Sequence, residues 1–178
     1  MCLLKTHRKW KKRRRERIYE GPHIDGGTQI SKDEGAPKEI KSNVIIDFSC
    51  IASTLTLIDE ELNLPRGVYS FTAKRENDGA HCTVSCSVGT ESGKNQEEKR
   101  PLSVLDQIDN LLKKYNVAKQ NGIYYKVSGL PNFYGLKIDV TYDSGENLYC
   151  YNNQDLIFSN DFIKELFQIF GVSSKNSI

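Results

Sequence analysis

His81, Cys82 and Cys86 are the residues whose types most invite chemistry, since a histidine and two thiols can hold a metal or pair a nucleophile with its base. Their spacing works against both. They fall in an alternating run, AHCTVSCSVG over 80–89, and strand alternation sends His81 to the face opposite the two cysteines. Cys82 and Cys86 share a face but stand ~13 Å apart at strand rise, too far for a disulfide. The remaining histidines, His7 and His23, belong to a different part of the chain. A Cys–His or Ser–His–Asp mechanism is poorly provisioned, and no metal or other cofactor is expected. Five cysteines are an odd count and too few for a disulfide framework, so they read as small buried apolar residues of a reducing compartment.

Carboxylates are the other catalytic route. Asp47, Asp139, Asp143 and Asp155 are available, and a hydrolase or transferase could be built on Asp139, Asp155 and a tyrosine. Asp139 alternates with Lys137 and Thr141 on a wet strand face, however, and Asp143 stands in a turn. Neither has the apolar setting that separates the pKa values of a catalytic pair. The segment GTESGKN (89–95) has the composition of a phosphate loop. It has three residues where four belong between the glycines, and Asn95 where a Ser or Thr hydroxyl would meet Mg²⁺.

A recognition surface is better supplied. Residues 122–155 hold six of the nine tyrosines. Alternation assigns Tyr125 and Tyr142 to a core and Tyr124, Tyr149 and Tyr151 to an open face, with Lys126, Lys137 and Asp139 among them. The loop SGLPNFYG (128–135) and the segment YNNQD flank this face and bring Tyr134, Asn152, Asn153 and Gln154. Tyrosines among a few charges make large contacts while freezing few torsions. The plainer account is that cross-strand tyrosine pairs stabilise an exposed sheet.

The elements that position these residues follow from periodicity. Alternation predicts strands over 42–52 (Val44, Ile46, Phe48 and Cys50 on one face), 67–76, 80–89, 123–127, 136–142 and 146–152. Asp78-Gly79 and Asp143-Ser144-Gly145 are hairpin turns. Residues 53–66 and 89–100 read as loops. A helix begins after Pro101, with Ser103 and Asp106 as a cap pair and a stripe of Val104, Leu105, Ile108, Leu111, Leu112 and Tyr115. A second, capped by Ser159 or Asn160, carries Phe162, Ile163, Leu166, Phe167 and Phe170 and closes at Gly171. The order is βββα-βββα. It implies an α+β two-layer sandwich, a mostly antiparallel sheet of about six strands with two helices on one face. One domain over 42–178 follows a flexible arm and linker over 1–41.

The net charge of +2 conceals an uneven distribution. Residues 5–17 carry +8, including Lys9, Lys11, Lys12, Arg13, Arg14, Arg15 and Arg17, and the remainder holds 16 basic against 22 acidic residues. Three readings of the run stay open: a solvated tail, an electrostatic contact with anionic lipid or nucleic acid, or the cytoplasmic flank of a membrane helix of which MCLL is the last part. Trp10 suits stacking on a base or a lipid interface. MCLL is too short for the apolar core of a signal peptide.

The stretch YKVSGLPNFYGLKIDVTYDSGENLYCYNNQD, with its following aromatic helix, resembles an uncharacterised domain of clostridial-type bacteria, often attached to lipoproteins. The likeness rests on VSGLP (127–131), the Tyr142-to-Gly145 turn and Asn153-Gln154-Asp155, and covers about the last 60 residues. It implies attachment to an envelope and no activity. This chain has no lipobox, since no apolar segment precedes Cys2. The expectation is a monomeric, non-enzymatic binding module, taking a protein or small ligand on the tyrosine-bearing face and using the arm for an anionic surface. It would be cytoplasmic, or membrane-associated if the sequence continues upstream. The alternatives are the carboxylate-dependent enzyme and nucleic-acid association through the arm.

Overall fold

The computed structural model describes residues 27–55, 66–87, 95–132, 134–154 and 157–172. The basic arm, most of the GTESGKN segment and Asp155 lie outside them. Eight strands are present among these residues: β1 (Thr28–Lys32), β2 (Ile45–Ser53), β3 (Val68–Glu76), β4 (Gly79–Ser87), β5 (Asn95–Arg100), β6 (Ile123–Val127), β7 (Leu136–Tyr142) and β8 (Asn147–Asn152). Helix α1 (Ser103–Lys114) and a short 3-10 turn (Val117–Gln120) separate β5 from β6, and α2 (Asn160–Ile169) follows β8. The strands form one sheet in the order β1-β6-β8-β7-β2-β3-β4-β5. Every neighbouring pair is antiparallel except β6 with β8. The fold is α+β with a mostly antiparallel sheet and two helices.

Two expectations are corrected here. The sheet has eight strands rather than about six, and five strands precede α1, so the order is not βββα-βββα. One added strand, β5, has the sequence NQEEKR and shows no alternation because nearly all of it is exposed. It forms because β4 offers an unpaired edge, and the two align from Ala80 opposite Arg100 to Ser85 opposite Asn95. Its charges suit a sheet margin. Arg100 also reaches across to donate to the carbonyls of Ile169 (2.6 Å) and Phe170 (3.1 Å), satisfying the C-terminal end of α2. The other added strand, β1, lies within the segment read as a linker and pairs with β6.

The core follows alternation with one shift. A β-bulge between Ile45 and Asp47 places two residues of β2 opposite one of β7. The buried set of β2 is therefore Ile45, Phe48, Cys50 and Ala52, not Val44 and Ile46. On this side α2 packs Phe167 against Tyr69 and Phe71, and Phe170 against Phe48 and Phe71, at centroid distances of 4.6 to 6.1 Å. Helix α1 buries Val104, Leu105, Ile108, Leu111 and Leu112 in the same cluster. The cap pair on α1 is absent. Leu102 occupies the N-cap, and backbone bonds from Val104 to Pro101 and Leu105 to Leu102 close the first turn. Strand β6 stands outside this cluster: all five of its residues, Tyr125 included, are only half-buried, whereas Tyr142 is in the core.

Candidate binding face

The side of the sheet away from the helices is ordered by strand register into rows of side chains. One row runs Tyr124, Tyr151, Lys137, Ile51, Ser70 and Ser85 across six strands. The next runs Tyr149, Asp139, Ser49, Thr72, Thr83 and Glu97. Because neighbouring strands lie about 4.8 Å apart, the middle of the face is a grid of small hydroxyls between a tyrosine end and a charged end. The tyrosine end is built by β6, β7 and β8, and the hydroxyls by β2, β3 and β4. Sequence reasoning centred the site on the tyrosines. It missed that the hydroxyl faces of β3 and β4 continue the same surface, although their alternation carries the signal; what it lacked was the strand order.

Five of the eight residues expected at the site meet here. Tyr124 and Tyr151 stack at 4.8 Å between centroids, and the Lys137 ammonium lies 5.9 Å from the ring centre of Tyr149, a cation–π arrangement. Lys126 stands beyond Tyr124, opposite Gln29 of β1. Tyr151 differs from the others in being covered. Strand β8 lies between β6 and β7, so the SGLPNFYG loop must cross β8 to join them. Tyr151 donates its hydroxyl hydrogen to the carbonyl of Asn132 in that loop (3.1 Å) and is only 6% exposed. Burial, and then the neighbouring Tyr124, push its pKa up to about 12. Tyr151 is a packing residue on this side rather than an accessible one.

The remaining three do different things. Tyr134 is half-buried in the crossing loop, and Gln154 is exposed just past β8. Asn153 is fully buried and behaves as a piece of backbone. Its Oδ1 accepts from the Val127 amide (2.7 Å), while its Nδ2 donates to the carbonyls of Val127 (2.9 Å) and Leu130 (3.3 Å). Asn121, which the sequence analysis did not single out, mirrors it at the other end of β6. Its Oδ1 accepts from the Tyr149 amide (2.8 Å), and its Nδ2 donates to Asn147 (2.8 Å) and Pro37 (2.9 Å). The two amides extend the three-residue parallel contact between β6 and β8 at both ends, so they shape the face without belonging to it.

The catalytic candidates are dispersed. Cys82 is buried and His81 half-buried, with His81 directed toward Glu97 at 3.9 Å. Burial raises the pKa of Cys50, with a further contribution from Cys150, and lifts Cys150 itself to about 12, so both remain thiols at neutral pH. Asp143 accepts from the Ser42 hydroxyl (2.6 Å) beside the β7–β8 turn, and Asp139 faces Tyr149. Among the described residues, no three His, Cys, Asp or Glu side chains cluster as a cation site, and no helix is long and apolar enough to cross a membrane. No family model, curated protein or solved structure matches the chain.

Proposed function

We propose that the chain is a non-enzymatic binding module that takes a protein partner on the open face of its sheet. The observation carrying this reading is the face itself: Lys137 and Tyr149 are pre-set against each other beside hydroxyl rows held in fixed register. A partner meeting it orders few additional torsions, and tyrosine with small hydroxyls is the composition adaptable interfaces favour. Tyr149, Lys137 and Lys126 supply the contact, with Thr72 and Thr83 at its centre. Tyr151, Tyr124 and Asn153 hold the geometry. Affinity capture on the intact chain tests this. Tyr149→Ser and Thr72→Arg should each lose the captured partner without lowering the melting temperature, while Asn110→Arg on the exposed side of α1 retains it. Equal capture by all three variants would sink the reading.

The polybasic run over 5–17 adds attachment to an anionic surface, supported by its +8 charge on an otherwise acidic chain. Gly27, where the described chain begins, accepts from the Ser128 amide at 3.0 Å. Gly27 itself therefore lies at the tyrosine end of the sheet. Deleting residues 1–20 should flatten the salt dependence of retention on heparin; an unchanged slope counts against the arm.

A further inference from the structure

On the helix side of the sheet, away from the open face, a cavity of about 490 Å³ opens where the 38–40 segment and the end of α1 meet β7 and β8. That volume lies within the range of small-molecule sites. Its walls are of two kinds. Ile40, Leu112, Ala118 and Leu148 give it an apolar lining, and the Tyr142 ring adds to it. Burial and the neighbouring Asp109 carboxylate, which the hydroxyl meets, raise the pKa of the Tyr142 hydroxyl and keep it protonated. Three lysines, Lys38, Lys113 and Lys119, line the same cavity against Glu39 as its one acidic residue.

The state of those charges selects the ligand. Lys113 is already matched, its Nζ lying 2.6 Å from the Asp109 carboxylate behind the wall. Lys38 donates to a neutral acceptor, the backbone carbonyl of Asn121, so its charge is not offset by that contact. Lys119 is exposed at the rim of the 3-10 turn. The excess over Glu39 is positive, and it borders an apolar interior. We infer that the cavity binds a small amphiphilic anion, an apolar body of medium-chain length carrying one carboxylate. The body would lie against Leu112, Ala118 and Leu148, and the headgroup between Lys38 and Lys119. A cation would meet the ammonium pair, and a bare inorganic anion would leave the apolar wall unused. This site and the open face are independent, so either can fail without the other.

Calorimetric titration of the full chain with octanoate, 1-octanol, octylammonium and inorganic phosphate reads the inference directly. Octanoate should bind saturably at one site, at least tenfold tighter than each of the other three. Lys38→Glu and Lys119→Glu should each weaken it fivefold or more, and Ala118→Trp should abolish it by filling the lining. The lysine substitutions are at exposed positions and leave the fold to speak for itself if the tryptophan does not fit. Equal binding of octanol would mean an apolar hole without charge selection, and equal binding of phosphate a surface ion site. Either result overturns the inference, as does octanoate binding that ignores both lysine substitutions.

Discussion

Strands β2, β3 and β4 run nine residues each, and β3 pairs with β4 along all nine, whereas β6 meets β8 over three. The first region is held by continuous antiparallel ladders beneath the rings of Phe167 and Phe170. The second, β1 with β6, contributes nothing to that core cluster. Ile30 on β1 is 69% exposed, and the join to the rest of the sheet depends on side chains that imitate backbone. The difference teaches where single residues matter. A long ladder spreads its cost over many bonds, and a short one concentrates it in Asn121, Gly122 and Asn153.

The sharpest break should come at Asn153. Asn153→Ala takes these partners from the part-buried Val127 amide and carbonyl and leaves a gap at a fully buried position, which should cost about 2–4 kcal/mol in urea unfolding. Thr72→Ala, in the ladder region, should stay within about 1 kcal/mol in the same measurement. Gly122 comes next. It sits at φ 78°, and a Cβ there would lie 2.6 Å from the Ala36 Cβ and 2.9 Å from the Asp33 carbonyl oxygen. Gly145, in the β7–β8 turn at φ 83°, has open space around it. Gly122→Ala should therefore cost about 2–3 kcal/mol and Gly145→Ala about 1 kcal/mol by thermal denaturation. Equal costs would mean that the packing of residues 33–36 on the β6 entry is not tight.

Arg100→Ala tests the other end of the sheet. Removing its bonds to the α2 carbonyls should cost about 1–2 kcal/mol and speed amide exchange in β5 ahead of β4. The smallest effect concerns pH. Burial acts to raise the pKa of Glu146, but the amides of Lys41 and Ser42 and the hydroxyl of Ser144 outweigh it and leave the carboxyl below its ordinary value. A depressed carboxylate stabilises the fold above its unfolded pKa, about 4.3, and that contribution fades as pH falls through the lower folded value. Stability should decline less between about pH 5 and 3 in Glu146→Gln than in the wild type.

The hairpins and both helices were legible because each has an apolar face written at its own period, and Asp78-Gly79 marks a turn by its chemistry. Strand β5 was not, since it buries no face and owes its existence to the β4 edge. The bulge at Ile45 was not, because Val44, Ile45 and Ile46 are equally apolar and either alternation fits. At the site, the outward direction of Tyr124, Tyr149 and Tyr151 came from alternation. The burial of Tyr151 did not, because its cover depends on β8 lying between β6 and β7. Asn153 misled for a similar reason: a buried amide pairing with a distant strand has the same local sequence as an exposed one in a turn.

That placement of β8 also bears on the order in which the chain assembles. Strands β7 and β8 are joined by a tight turn and can zip locally on the fast timescale of hairpins. Strand β6 precedes them in sequence but has nothing to pair with on this side until β8 is in place, and β1 in turn waits for β6. Strand β1 thus docks after elements that follow it by more than a hundred residues. During synthesis, the tyrosine end would remain open until β8 has emerged.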